Sequence, residues 1–134
     1  MSVGLCLISH NRLGEALLDT AVTMLGSRPL PAAVIAVTPA SDPGQILEQA
    51  RAAVRALDQG DGVIVLTDMF GSTPSNIATA LKRDNEHVTV IAGVNLPMLV
   101  RLMNYPRLGM AQLKDKALSG GREGIFSCGP DGEA

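Results

Sequence analysis

A chain of 134 residues is long enough to bury the core of one compact domain without disulfide or metal staples. The formal net charge of −2 gives no basic surface for nucleic acid, and two Phe and one Tyr leave little on which bases could stack. No stretch approaches the span of a bilayer, and the apolar run up to Ile8 lacks the basic flank and length of a secretion signal, so the expected location is the cytoplasm.

Val3–Ile8 is a continuous apolar run of strand length, followed by the polar Ser9, His10 and Asn11 and then by a helical pattern. Leu13, Leu17, Ala21, Met24 and Leu25 form the predicted apolar stripe of that helix, with Gly26 placed to end it. Cys6 lies in the first strand and Cys128 in the tail; with no CxxC, both read as reduced thiols without redox chemistry. A second unit follows, with a strand at Ala33–Val37 and a helix carrying Ile46, Leu47, Ala50, Val54 and Leu57. Asp42 or Ser41 caps it and Pro43 lies in its first turn.

The third unit has a strand at Gly62–Leu66, a loop over Thr67–Thr73, and a helix from Pro74 to about Lys82 with Thr73 as its cap. Val88–Ile91 is the fourth strand. Helical segments then run from Pro97 to about Leu118, a short antiparallel edge strand is expected near Ile125, and Gly129–Ala134 is expected to fray. Met24, Met98, Met103 and Met110 fall at helical positions and read as core fillers. Apolar strands alternating with amphipathic helices imply an open, doubly wound α/β fold, with a mainly parallel sheet covered on both faces. Residues 1–128 form a single domain on this reading.

Ligands of such sheets bind beyond the carboxyl ends of the strands, where strand order reverses. That rule selects four loops: Ser9–Asn11, Thr38–Gly44, Thr67–Thr73 and Ala92–Pro97. The first holds one of only two histidines; the other, His87, follows a charged run and reads as solvated. At a strand-to-helix junction His10 is either a nucleophile with helix N–H groups nearby or a hydrogen-bonder at the helix start. Asp68 stands directly beyond the third strand, before Gly71, Ser72 and Thr73. If strands one and three are neighbours it can orient the His10 ring; otherwise it caps a turn, as Thr73 caps a helix. Asn95-Leu96-Pro97 reads by default as a turn and helix start. Arg12 can attract a phosphate or an acidic partner, or stand solvated.

Three segments carry a resemblance: Gly4-Leu5-Cys6-Leu7-Ile8-Ser9-His10, Asp68-Met69-Phe70-Gly71-Ser72-Thr73-Pro74-Ser75-Asn76, and Ala92-Gly93-Val94-Asn95-Leu96-Pro97-Met98-Leu99. In order and spacing they resemble three loops of the mannose-type IIA domains of the sugar phosphotransferase system, and Gly121-Arg122-Glu123-Gly124 is similar to that family's final helix exit. The resemblance implies that His10 receives phosphate from the phosphohistidine of the carrier HPr and donates it to a IIB partner. Asp68 would orient the ring, and Asn11, Gly71, Ser72 and Thr73 would lie around the phosphate. Ser9, Phe70, Asn95 and Pro97 would wall the site or meet the partner. It also implies a homodimer, no metal or organic cofactor, and a membrane link only through a separate permease.

Asn11 stands where the family often has Gly, and Ser72 replaces the second Gly of a usual pair; both predict altered rates or partner fit rather than lost activity. The chain ends without a IIB domain, so the acceptor is expected to be another polypeptide. Other readings are a regulatory role for the phosphorylation state, a phosphoryl donor to dihydroxyacetone kinase, and a non-enzymatic ligand-binding module. A receiver would be phosphorylated on Asp68 but needs an acidic Mg²⁺-holding pair after strand one, where this chain has Ser9 and His10. A histidine-type phosphatase would need an Arg-His-Gly, which is missing here.

Overall fold

In a computed structural model, residues 2–130 are described. Strands and helices alternate as β1 (Gly4–His10), α1 (Leu13–Leu25), β2 (Ala32–Val37), α2 (Pro43–Leu57), β3 (Val63–Thr67), α3 (Thr73–Asp84) and β4 (Val88–Ala92). Two helices follow in succession, α4 (Leu96–Met103) and α5 (Met110–Glu123). The four strands form one parallel sheet in the order β2-β1-β3-β4. The chain therefore passes from β1 to one side and, after β2, to the other, so strand order reverses between β1 and β3. In parallel α/β sheets the ligand crevice lies at that reversal, beyond the strand ends.

Side chains alternate across each strand, so the continuous apolar runs feed two cores. Leu5, Leu7, Ile64 and Leu66 face the layer built by α1, α4 and α5, where Leu18, Leu99, Leu102 and Leu113 are buried. Cys6, Ile8, Val63 and Val65 face α2 and α3 through Val54, Ile77 and Leu81. Each fully buried aliphatic side chain of this kind contributes about 1.5–3 kcal/mol by leaving water, before the entropy of ordering the chain is counted. Burial also pushes the Cys6 thiol up to about 12, as expected of a small core residue, while Cys128 is exposed.

The helix boundaries follow local chemistry. Gly26 closes α1 in the left-handed conformation, φ 77°, and its N–H reaches Val22 O. Asp42 caps α2 by accepting the N–H of Gly44, with Pro43 in the first turn.

Several expectations are corrected. The apolar stripe of α1 is rotated from the predicted one: Gly14, Leu18 and Ala21 are buried, whereas Leu13 and Met24 are 46% and 61% exposed. Small residues at 14 and 21 let the helix approach the sheet, which turns Leu13 and Met24 to its flanks; Met24 is thus no core filler, although Met98 and Met103 are. The cap of α3 is Ser72, and Thr73 is its first residue. No antiparallel strand forms near Ile125 among the described residues. Helix α5 runs on to Glu123, and the following Ile125 and Phe126 are exposed and make no ladder. Most of the tail expected to fray, residues 131–134, lies outside the described residues.

Candidate functional site

Strand β1 is the second of four in the sheet, hydrogen-bonded on both sides, and its last residue is His10. Asp68 follows β3 directly. Because Ile8 pairs with Thr67, one step beyond the pair sets Asp68 beside the end of β1. The carboxylate makes two bonds to the histidine through the same oxygen: His10 N–H donates to Oδ2 at 3.0 Å, and ring Nδ1 lies 2.8 Å from it. Its other oxygen accepts Met69 N–H at 3.1 Å.

An ionised carboxylate only accepts, so Nδ1 must carry the proton in this bond. The lone pair of the neutral ring is then on Nε2, the nitrogen away from Asp68. The His10 side chain is 46% exposed and that of Asp68 only 11%, so the orienting group is sheltered while the ring faces solvent. Burial of Asp68 acts to raise its pKa, but the bonds from the His10 backbone and ring and from an adjacent backbone N–H outweigh it. The carboxyl is held below its ordinary value. It is therefore ionised at neutral pH and able to stabilise positive charge that develops on the ring.

The loop after Asp68 is shaped by its own hydrogen bonds. Gly71 has φ 88°, a conformation that glycine adopts without steric cost. Its N–H donates to Ser75 Oγ at 3.2 Å, so of the residues expected around a phosphate, Gly71 has its donor already engaged. Ser72 Oγ donates to Met69 O at 2.6 Å instead of capping α3. Thr73 is exposed, and neither its N–H nor its hydroxyl is paired among the described residues. The same loop carries Met69 and Phe70, 66% and 82% exposed. With Leu13 on the other side of His10, these place large apolar side chains on both segments that flank the ring, a surface suited to a protein partner.

Other expected site residues are placed differently. Ser9 is fully buried, because strand alternation turns it toward α1, and its Oγ accepts Gly14 N–H at 2.8 Å; it walls no open surface. Asn95 lies at the end of the neighbouring strand, but its side chain is spent on structure. It accepts Met98 N–H at 2.9 Å as the cap of α4, and donates to Gly121 O at 3.1 Å. Pro97, in the first turn of α4, packs against Gly124 at the end of α5. Asn11 has φ 52°, the left-handed region in which asparagine is among the better tolerated non-glycine residues. Its departure from Gly thus falls at a position with a real conformational demand, whereas Ser72, with φ −88°, occupies ordinary backbone.

Two features near the ring escaped the sequence reading. Gly14 was hidden inside the helical pattern, where nothing marks a glycine as a contact. Thr67 is fully buried, and its Oγ1 has no hydrogen-bond partner among the described residues, which costs about 1–3 kcal/mol for such a group. An apolar β3 ending in a hydroxyl residue was its only signal.

Residues 4–117 match the family model EIIA-man, described as the PTS system fructose IIA component. The chain belongs to this family. The EIIA-man domain is 33% identical over 127 residues to the PTS system mannose-specific EIIAB component of Escherichia coli K12, covering 93% of this chain and 39% of that protein. It therefore spans well under half the length of that relative. Its fold matches the mannose/sorbose-specific IIA subunit of Enterococcus faecalis with a TM-score of 0.83 at 24% identity, over 95% of both chains. It also matches a PTS IIA protein associated with the fucose utilization operon of Streptococcus pneumoniae, with a TM-score of 0.81 at 23% identity over 95% and 96% of the two chains. Among the described residues no helix is long and apolar enough to cross a membrane.

Proposed function

We propose that this EIIA-man domain is a histidine phosphocarrier, with Nε2 of His10 as the atom that takes and passes on the phosphoryl group. One observation carries this reading: at the reversal of strand order, an exposed imidazole has Nδ1 held by an ionised carboxylate, which leaves Nε2 free and aimed away from it. In the transfer the Nε2 lone pair attacks phosphorus, the donor's N–P bond breaks as the new N–P bond forms, and the electron pair returns to the donor imidazole. The His10 ring gains positive charge, which Asp68 balances without giving up its place. The protein mainly positions the ring for in-line approach and offers donors to the equatorial oxygens. Thr73, whose N–H and hydroxyl are unpaired among the described residues, is the best supported of these, beside the side-chain amide of Asn11; Ser72 would have to release Met69 O to take part.

The donor on this reading is the phosphohistidine of an HPr-type carrier, and the acceptor a IIB protein on a separate polypeptide. The apolar Leu13, Met69 and Phe70 around His10 support docking of such proteins. The family likeness extends the proposal to a homodimer acting in the cytoplasm, with a permease as its membrane link; light scattering reads the oligomeric state. Incubation with phosphorylated carrier should place an acid-labile phosphate on His10. Equal labelling of a His10→Ala variant, or an acid-stable phosphate elsewhere, would falsify the assignment.

A further inference from the structure

Helix α1 begins without a cap of its own. Arg12 holds the cap position and makes no side-chain cap bond, since a guanidinium has donors and no acceptor. The missing acceptor comes from inside β1: Ser9 Oγ takes the N–H of Gly14, the second helical residue, whose donor a cap residue ordinarily satisfies. This displaced cap ties strand to helix and closes a short loop around His10, Asn11, Arg12 and Leu13. It requires glycine at 14, where a Cβ would lie 2.7 Å from Ser9 Oγ, 3.3 Å from Val34 Cγ1 and 3.4 Å from Leu7 Cβ.

The loop is held from its other flanks as well. Asn11 N–H donates to Val37 O at the end of β2 at 2.8 Å, while His10 N–H is held by Asp68 beyond β3. Asn11 is the one non-glycine residue at positive φ among the described residues. Such a conformation is costly and persists where its surroundings over-determine it, which is why it marks sites with a positional task.

We propose that Ser9 and Gly14 are positioning residues for phosphoryl transfer at His10. Their buried hydrogen bond holds the β1–α1 turn in its strained form, and that form keeps Nδ1 on Asp68 and Nε2 directed outward. Ser9 is fully buried, so solvent does not replace the bond when the hydroxyl is removed. The inference rests on His10 being the phosphoryl acceptor.

The test compares Ser9→Ala with Val22→Ala, a partly buried change about two turns further along α1 that lowers stability away from the loop. In the unphosphorylated protein, ¹⁵N spectra of the His10 ring should show the Nδ1-protonated tautomer for wild type and for Val22→Ala, and a tautomer mixture for Ser9→Ala. Labelling by phosphoramidate, a small donor that needs no docking surface, should slow about tenfold in Ser9→Ala, a loss of the size expected from misorientation, and little in Val22→Ala. Ser9→Thr, which keeps a hydroxyl, should restore both readouts. A wild-type tautomer in Ser9→Ala, with labelling no slower than in Val22→Ala, overturns the positioning role alone. A wild-type protein that phosphoramidate and carrier both fail to label at His10 overturns the acceptor reading and this inference with it.

Discussion

Helices α3 and α4 start in nearly the same way, each with a polar cap residue and a proline in the first turn, yet they use that start differently. At α4, Asn95 accepts Met98 N–H and also holds Gly121 O, so the helix end is closed and tied to α5. At α3, the Ser72 hydroxyl turns back to Met69 O, and the helix end beside Asp68 keeps no side-chain cap. The first arrangement is what a helix does when only stability is at stake. The second forgoes part of that stability and leaves the positive end of the helix dipole open next to the histidine that the phosphotransferase reading requires. On that reading, the contrast separates a strand end that carries chemistry from one that carries architecture.

The sharpest way to break this comparison is at Asp68. Asp68→Asn removes the charge opposite the ring and should slow phosphoryl transfer by at least about a hundredfold, in the direction of the ~10⁴-fold loss seen when a triad loses its orienting carboxylate; a rate within threefold of wild type would show that the carboxylate only braces the loop. Its pH signature has a fixed sign. The folded-state pKa is lowered, so the stability Asp68 contributes is fully present above the unfolded-state value of about 3.9 and is lost as pH falls through the folded value. Urea titrations should therefore show the wild-type advantage over Asp68→Asn shrinking as pH falls below about 4.

Ser72→Asp is next in size. A carboxylate at the cap can accept Ser75 N–H and face the helix dipole, gaining about 0.5–1 kcal/mol in stability. The same charge repels an incoming phosphoryl group and should slow transfer about tenfold. Opposite signs in melting temperature and labelling rate are the expected outcome; a rise or fall in both would erase the distinction between the two helix ends. Asn95→Ala should do the reverse, costing about 1–2 kcal/mol in urea unfolding while leaving labelling within twofold. The smallest effect is expected at Asn11→Gly, which relieves the left-handed strain but loosens the unfolded chain. The two terms leave stability within about 0.5 kcal/mol of wild type, whereas Asn11→Val should cost about 1–2 kcal/mol.

Much of this was legible because it is encoded locally. Val3–Ile8 is apolar at every position, which marks a strand covered on both faces, and the change to Ser9-His10-Asn11 locates its end. Asp42-Pro43 names a helix start without help from the rest of the chain. Asn95 was legible as a helix start but not as a tie to Gly121, and the role of Ser9 was not legible. A serine before a histidine looks the same whether its hydroxyl faces solvent or is turned inward onto a helix, and only packing of α1 on the sheet through Gly14 decides. Leu13 and Met24 were misplaced for the same reason: the periodicity of α1 fits two overlapping stripes, and the small residues at 14 and 21 select between them by letting the helix sit closer.

By itself the sequence determined an alternating set of strands and helices, a parallel sheet, and the presence of one histidine and one carboxylate just beyond two strand ends. Periodicity and end signals act over a few residues, so they can be read along the chain. Only the tertiary structure decided that β1 and β3 are neighbours and that Nδ1 and not Nε2 meets Asp68. Those facts depend on pairings between residues some sixty positions apart, whose geometry is set by the whole sheet and its two packed layers.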